Sequence, residues 1–66
     1  MEKWQDRVVK ERDELDKKIK ALQEFIAGDT FEDVESAEQL RLKKQCVIMV
    51  DYRNILTMRI KNFEKD

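Results

Sequence analysis

The sequence predicts an all-α fold: two long antiparallel helices with a short connector helix, assembled as a helical oligomer. Three observations predict it. Proline is absent and glycine occurs once, at Gly28, so the composition favours helices interrupted at a single point. Apolar residues recur at alternating spacings of four and three on both sides of Gly28, the pattern of a helical seam. The second half is also apolar over more of its circumference than one neighbouring helix can cover.

The first helix is expected over about residues 4–27. Its seam reads Val8, Arg12, Leu15, Ile19, Leu22 and Ile26, with Arg12 as the one polar intruder. Lysines and carboxylates alternate on the opposite face, and Glu14–Lys18 and Asp13–Lys17 stand at favourable i,i+4 spacing. Gly28 falls where a left-handed C-terminal cap is expected.

A connector follows over about residues 28–36. Asp29 or Thr30 is placed to cap a short helical turn, with Phe31 and Val34 pinning that turn onto the helices. Ser36 and Gln39 match an S-x-x-Q capping box for the second long helix, over about residues 37–63. There Leu42, Met49, Leu56 and Phe63 repeat every seven residues, and Cys46 and Ile60 complete the seam. Ile48, Tyr52 and Ile55 form a second apolar stripe, which implies burial against both the hairpin partner and a neighbouring chain.

At 66 residues the chain makes one domain, of a size at which a lone core is marginal without disulfides, metals or association. The single Cys46 cannot form an internal bridge, and with no histidine a zinc or haem site has no ligand set. No cofactor is expected, and self-association is the remaining route. Charged residues reach 44%, yet the net charge is −1. That balance argues against a DNA or RNA polymer as partner, and no helix-turn-helix spacing supports a transcriptional regulator. No run approaches the ~18 apolar residues of a membrane span. The charged start MEKWQDRVVKERDE does not read as a secretory signal, and a free cysteine fits a reducing cytosol.

Charge is unevenly placed. Residues 27–40 hold five acidic groups and no basic one, whereas residues 41–66 hold seven basic and three acidic. The second helix is therefore where an anion is expected to approach.

Catalytic parts are missing. Acid–base relays and thiol nucleophiles lack histidine, and Cys46 lies inside an apolar run. The single serine is better used as a helix cap, and one glycine cannot form a phosphate loop. The chain reads as a binder and not an enzyme.

The candidate binding residues each carry two readings. Trp4 is either packing at a helix end or a stacking surface for a planar ring, with Lys3 and Arg7 beside it to meet a phosphate. Lys18 is either one of a solvated lysine face or an anion contact. Arg53 and Arg59 lie in apolar surroundings, where each either salt-bridges an acidic residue of the partner helix or meets an anion. Tyr52, Met49 and Met58 read as core. Trp4 and Lys18 are 14 residues apart, which is ~21 Å along a helix. One small ligand touching both therefore draws them from two chains, unless the N-terminus folds back.

The ordered residues resemble one family. The first half reads Trp4-x-x-Arg7-Val8-Val9-x-Glu11-x-x-Glu14-Leu15-Asp16-x-Lys18, then Leu22-x-x-Phe25-Ile26. The second carries Phe31, Glu38-Gln39-x-x-Leu42, Gln45, Met49-x-x-Tyr52 and Ile55-Leu56-x-x-Arg59-Ile60. The pattern is similar to the phage-encoded cyclic-oligonucleotide sponges that oppose antiphage signalling, and it is collinear over nearly the whole chain.

The resemblance implies compact helical hexamers in the host bacterial cytoplasm. These would sequester cyclic dinucleotides between paired protomers and cyclic trinucleotides at separate sites on threefold axes. It implies that Trp4 stacks on a base, that Lys18 meets phosphate, and that Arg59 meets trinucleotide phosphates. Trp4 stands where the family more usually has tyrosine, and Thr57 where a glycine is often found. The competing expectation is a structural or adaptor oligomer whose stripes serve self-assembly or a host protein.

Overall fold

Alternating seams on either side of one glycine fold into a helical hairpin. The computed structural model describes residues 2–63. Helix α1 spans Lys3–Ala27, a 3₁₀ turn spans Asp29–Asp33, and helix α2 spans Ser36–Phe63. Among the described residues there is no strand. The hairpin is a rod of 49 × 14 × 14 Å, as two antiparallel helices of this length require.

The two seams face each other. Ile19 and Leu56 are sealed, at 0% and 1% exposure, and Val8 is buried with them. The remaining seam positions, from Leu15, Leu22 and Ile26 to Leu42, Met49 and Ile60, are half-buried. Cys46 lies among them as a free thiol. Phe31 is the buried residue of the connector. Its ring stands edge-on to Phe25 at 5.8 Å between centroids, and the Lys43 ammonium lies 5.8 Å from the ring centre. This closes the turn end of the rod.

Local chemistry at the turn differs from the sequence expectation in three places. Gly28 is not left-handed: its φ of −84° and ψ of 168° are extended backbone. Its N–H still donates to the Phe25 carbonyl at 3.1 Å. Close approach, not positive φ, explains the glycine, because an added Cβ would meet the Glu24 and Phe25 carbonyl oxygens at 3.2 and 3.4 Å. Neither Asp29 nor Thr30 caps the 3₁₀ turn, whose N-cap position is Gly28 itself.

The third difference is at Ser36 and Gln39. Ser36 is already the first residue of α2, and the Gln39 backbone N–H bonds the Glu35 carbonyl at 2.9 Å. The Gln39 side-chain amide donates instead to the Phe31 and Val34 carbonyls, at 3.0 and 2.8 Å. A carboxamide suits this place because its two N–H donors reach both the Val34 carbonyl and the Phe31 carbonyl, which also accepts the Val34 N–H at 3.1 Å. One side chain thus ties the connector to α2.

Ion pairs on α1 also fall elsewhere than expected. Glu14 faces Lys10 at 4.0 Å, Asp13 is taken by Arg12 at 2.9 Å, and Asp16 holds Lys20 at 3.0 Å. The expected Glu14–Lys18 and Asp13–Lys17 pairs share these carboxylates, so the competing partners leave Lys17 and Lys18 unpaired among the described residues.

The outer side of α2 is apolar and uncovered. Leu40, Val47, Ile48, Ile55 and Met58 are all exposed, so Met58 is not core. The reason is geometric: α1 has one apolar face, and α2 has two.

Two measurements check the turn. Gln39→Glu keeps the shape but cannot donate to two carbonyls, so it and Gln39→Ala should each lower stability by about 1–2 kcal/mol in urea unfolding. Gly28→Ala should shift stability by less than about 1 kcal/mol, because no left-handed conformation is lost and the tighter unfolded chain offsets the close carbonyls.

Candidate functional site

Two polar contacts cross the hairpin and fix how its flanks align. On one flank Arg53, in the seam of α2, sends Nη1 to Asp16 Oδ1 at 2.8 Å. Both side chains are under a third exposed. This is the partner-helix carboxylate that the sequence allowed for Arg53. Asp16 also holds Lys20, and the hydrogen bond from Arg53, then that from Lys20, pulls its carboxyl below the ordinary value of 3.8. On the other flank the Tyr52 hydroxyl donates to the Glu11 carboxylate. Tyr52 is 43% exposed, so the core placement expected for it is corrected: its ring lies at the rim, held by the hydroxyl.

The Tyr52–Glu11 bond aligns two rows. Residues seven apart stand nearly above one another on a helix, ~10.5 Å along the axis. Trp4, Glu11 and Lys18 therefore share one flank of α1, and Arg59, Tyr52 and Gln45 share the adjoining flank of α2. Sequence reasoning singled out Trp4, Lys18 and Arg59 but missed Glu11 and Tyr52 as the link between them. The sevenfold spacing was a usable signal; which flank of α2 lies beside it was not.

Trp4 marks the open end of the rod. Its ring meets Phe63 edge-on, with centroids 5.0 Å apart and planes at 82°, yet half of its surface is exposed. Both sequence readings are therefore compatible with what forms: part of the indole packs a helix end, and part remains open to a planar group. Arg59 lies one helical turn before Phe63, which brings it within about a turn of Trp4 on the same flank. Lys3 and Arg7 are exposed beside Trp4.

Arg59 is exposed and, among the described residues, has no ion pair. Arg53 took the available carboxylate, so the partner-helix salt bridge considered for both arginines forms for Arg53 alone. Lys18 is likewise exposed. The open end thus gathers an aromatic surface with Lys3, Arg7 and Arg59, and Lys18 stands about four turns from Trp4 along α1. A single chain does not bring Trp4 and Lys18 together.

Among the described residues no group of three or more acidic, cysteine or histidine side chains is gathered as for a metal. Within the same residues no helix is long and apolar enough to cross a membrane.

A family model described as Sequestin matches residues 2–62. The match spans nearly all of the chain, and the chain belongs to that family. It agrees with the resemblance to sequestering sponge proteins drawn from the residues, and the family name suggests sequestration of a ligand. Comparison with curated proteins and with solved structures found no match.

The Asp16 linkage gives a pH test. A lowered carboxyl contributes stability above its unfolded value and loses that contribution as pH falls through its folded value. Wild type should therefore exceed Asp16→Asn in stability at pH 7. The gap should close as pH drops below 3.8, read by urea midpoints across the acid range.

Proposed function

We propose that this Sequestin-family chain binds cyclic oligonucleotide second messengers and retains them without cleavage. In this reading it is a phage immune-evasion protein that works in the host bacterial cytoplasm and blocks antiphage signalling. The observation that carries the proposal is the open end of the hairpin: a half-exposed indole braced by Phe63, with Lys3, Arg7 and Arg59 around it. A nucleobase needs a flat apolar surface, and its phosphates need cations with spare hydrogen-bond donors.

Cyclic dinucleotides are the first ligand class. Trp4 stacks on a base, Lys18 meets phosphate, and Lys3 and Arg7 assist at the open end. Because Trp4 and Lys18 lie ~21 Å apart on α1, the two come from different protomers, and a two-fold interface suits a ligand that is itself nearly two-fold. Cyclic trinucleotides are the second class, held where three copies of Arg59 converge on a threefold axis of a hexamer. Three guanidinium groups repel unless an anion lies among them, and the free, exposed state of Arg59 supports that use. Neither class requires a cofactor, and the residues gathered at the open end include no nucleophile or histidine base.

The uncovered outer face of α2 also favours a second reading, a structural or adaptor oligomer that binds a host protein. The two separate on ligand retention. Calorimetry with a panel of cyclic di- and trinucleotides should show binding to wild type. Trp4→Ala and Lys18→Ala should weaken dinucleotides by about ten- to a hundredfold, as loss of one stacked base or one phosphate contact implies. Arg59→Ala should mainly weaken trinucleotides. Ligand released by denaturing the complex should be chemically intact by mass spectrometry. Absence of any nucleotide binding would leave the adaptor reading.

A further inference from the structure

The outer face of α2 has an internal symmetry. Its midpoint falls between Val47 and Ile48, whose side chains, with Lys43 and Lys44, line a shallow hollow of about 300 Å³. Reading outward from that midpoint, Lys44 lies as far toward the N-terminus as Asp51 lies toward the C-terminus. Leu40 and Ile55 form the next equidistant pair. Both apolar residues are more than half exposed, and Lys44 and Asp51 are exposed without an ion pair among the described residues. The pattern is a palindrome in shape and an anti-palindrome in charge.

We propose that this face pairs antiparallel with the same face of a second copy, about a two-fold axis between Val47 and Ile48. Each Lys44 then meets Asp51 of the second copy, and this happens twice. Leu40 faces Ile55 of the second copy, and the central Val47 and Ile48 fill each other's hollow. Beyond them the acidic connector of one copy, with Asp33 and Glu35, comes near Lys61 of the other. Met58 falls opposite the small Ala37.

Charge excludes the alternatives. A parallel pairing in register sets Lys44 against Lys44, Asp51 against Asp51, and one acidic connector against another. Sliding the antiparallel pair to centre on Asp51 places two carboxylates on the axis. Charges flanking an apolar strip select orientation and register in this way in helical pairs generally. The pairing does not depend on what ligand the chain holds. In this register Trp4 of one copy falls near the turn end of the other, so the contact is distinct from one joining Trp4 to Lys18.

Sedimentation of the full chain across a dilution series tests it, with Lys44→Glu, Asp51→Lys and the double exchange. Each single change puts like charges together at two places and should weaken self-association by about tenfold or more, because like-charge juxtaposition is costly at an interface. The double exchange restores opposite charges and should regain association near that of wild type. Single changes that associate as wild type does, a double exchange that fails to recover, or a wild type that stays monomeric at every concentration would each overturn the pairing. Nucleotide binding, measured separately, does not enter this readout.

Discussion

α2 carries two apolar faces and α1 carries one, and most features of the molecule descend from that mismatch. Pairing the seams of the hairpin seals Ile19 and Leu56 but leaves Leu40, Val47, Ile48, Ile55 and Met58 uncovered. Only four hydrophobic side chains among the described residues are buried, a thin core for a chain of this size. In the proposed assembly neighbouring copies supply the missing apolar contacts, and the ligand pockets of the proposed function lie between copies, so retention there depends on association.

Within the hairpin, polar groups set the alignment that apolar seams leave loose. Heptad faces tolerate sliding by a whole turn, because each layer resembles the next. Arg53 on Asp16 and Tyr52 on Glu11 remove that freedom from both flanks at once. A partly exposed ion pair contributes little net stability, but displacing either contact strands a polar group at the rim of the seam. Arg12, the other arginine in a seam, is satisfied locally by Asp13 and gives no such information. The same alignment decides which α1 residues stand near Arg59, so positioning of the open end is a by-product of these two bonds.

The two helices and their seams were legible because periodicity reports burial directly, and a chain with one glycine and no proline has few other options. The second stripe of α2 was legible as apolar, but its internal symmetry was not, since that pattern stands out only once Leu40, Val47, Ile48 and Ile55 are known to lie uncovered together. Tyr52 misled for a related reason: an aromatic on an apolar stripe reads as core unless the carboxylate across the hairpin is known. Gly28 and Gln39 failed at finer scale. A glycine at a helix end is compatible with either positive φ or close carbonyls, and an S-x-x-Q string is silent about carbonyls presented by a preceding 3₁₀ turn. Trp4, Lys18 and Arg59 could be singled out by residue type and resemblance. Their shared flank needed the Tyr52–Glu11 bond.

The chain has a single tryptophan, and it sits against Phe63, in the last turn of α2. Its emission will consequently register fraying at the rod's open end before the Ile19–Leu56 layer gives way, since helix ends open at lower free energy than packed interiors. A melting curve followed by fluorescence and one followed by far-ultraviolet dichroism then describe different events. Disagreement between them would reflect where the indole is planted rather than a populated folding intermediate.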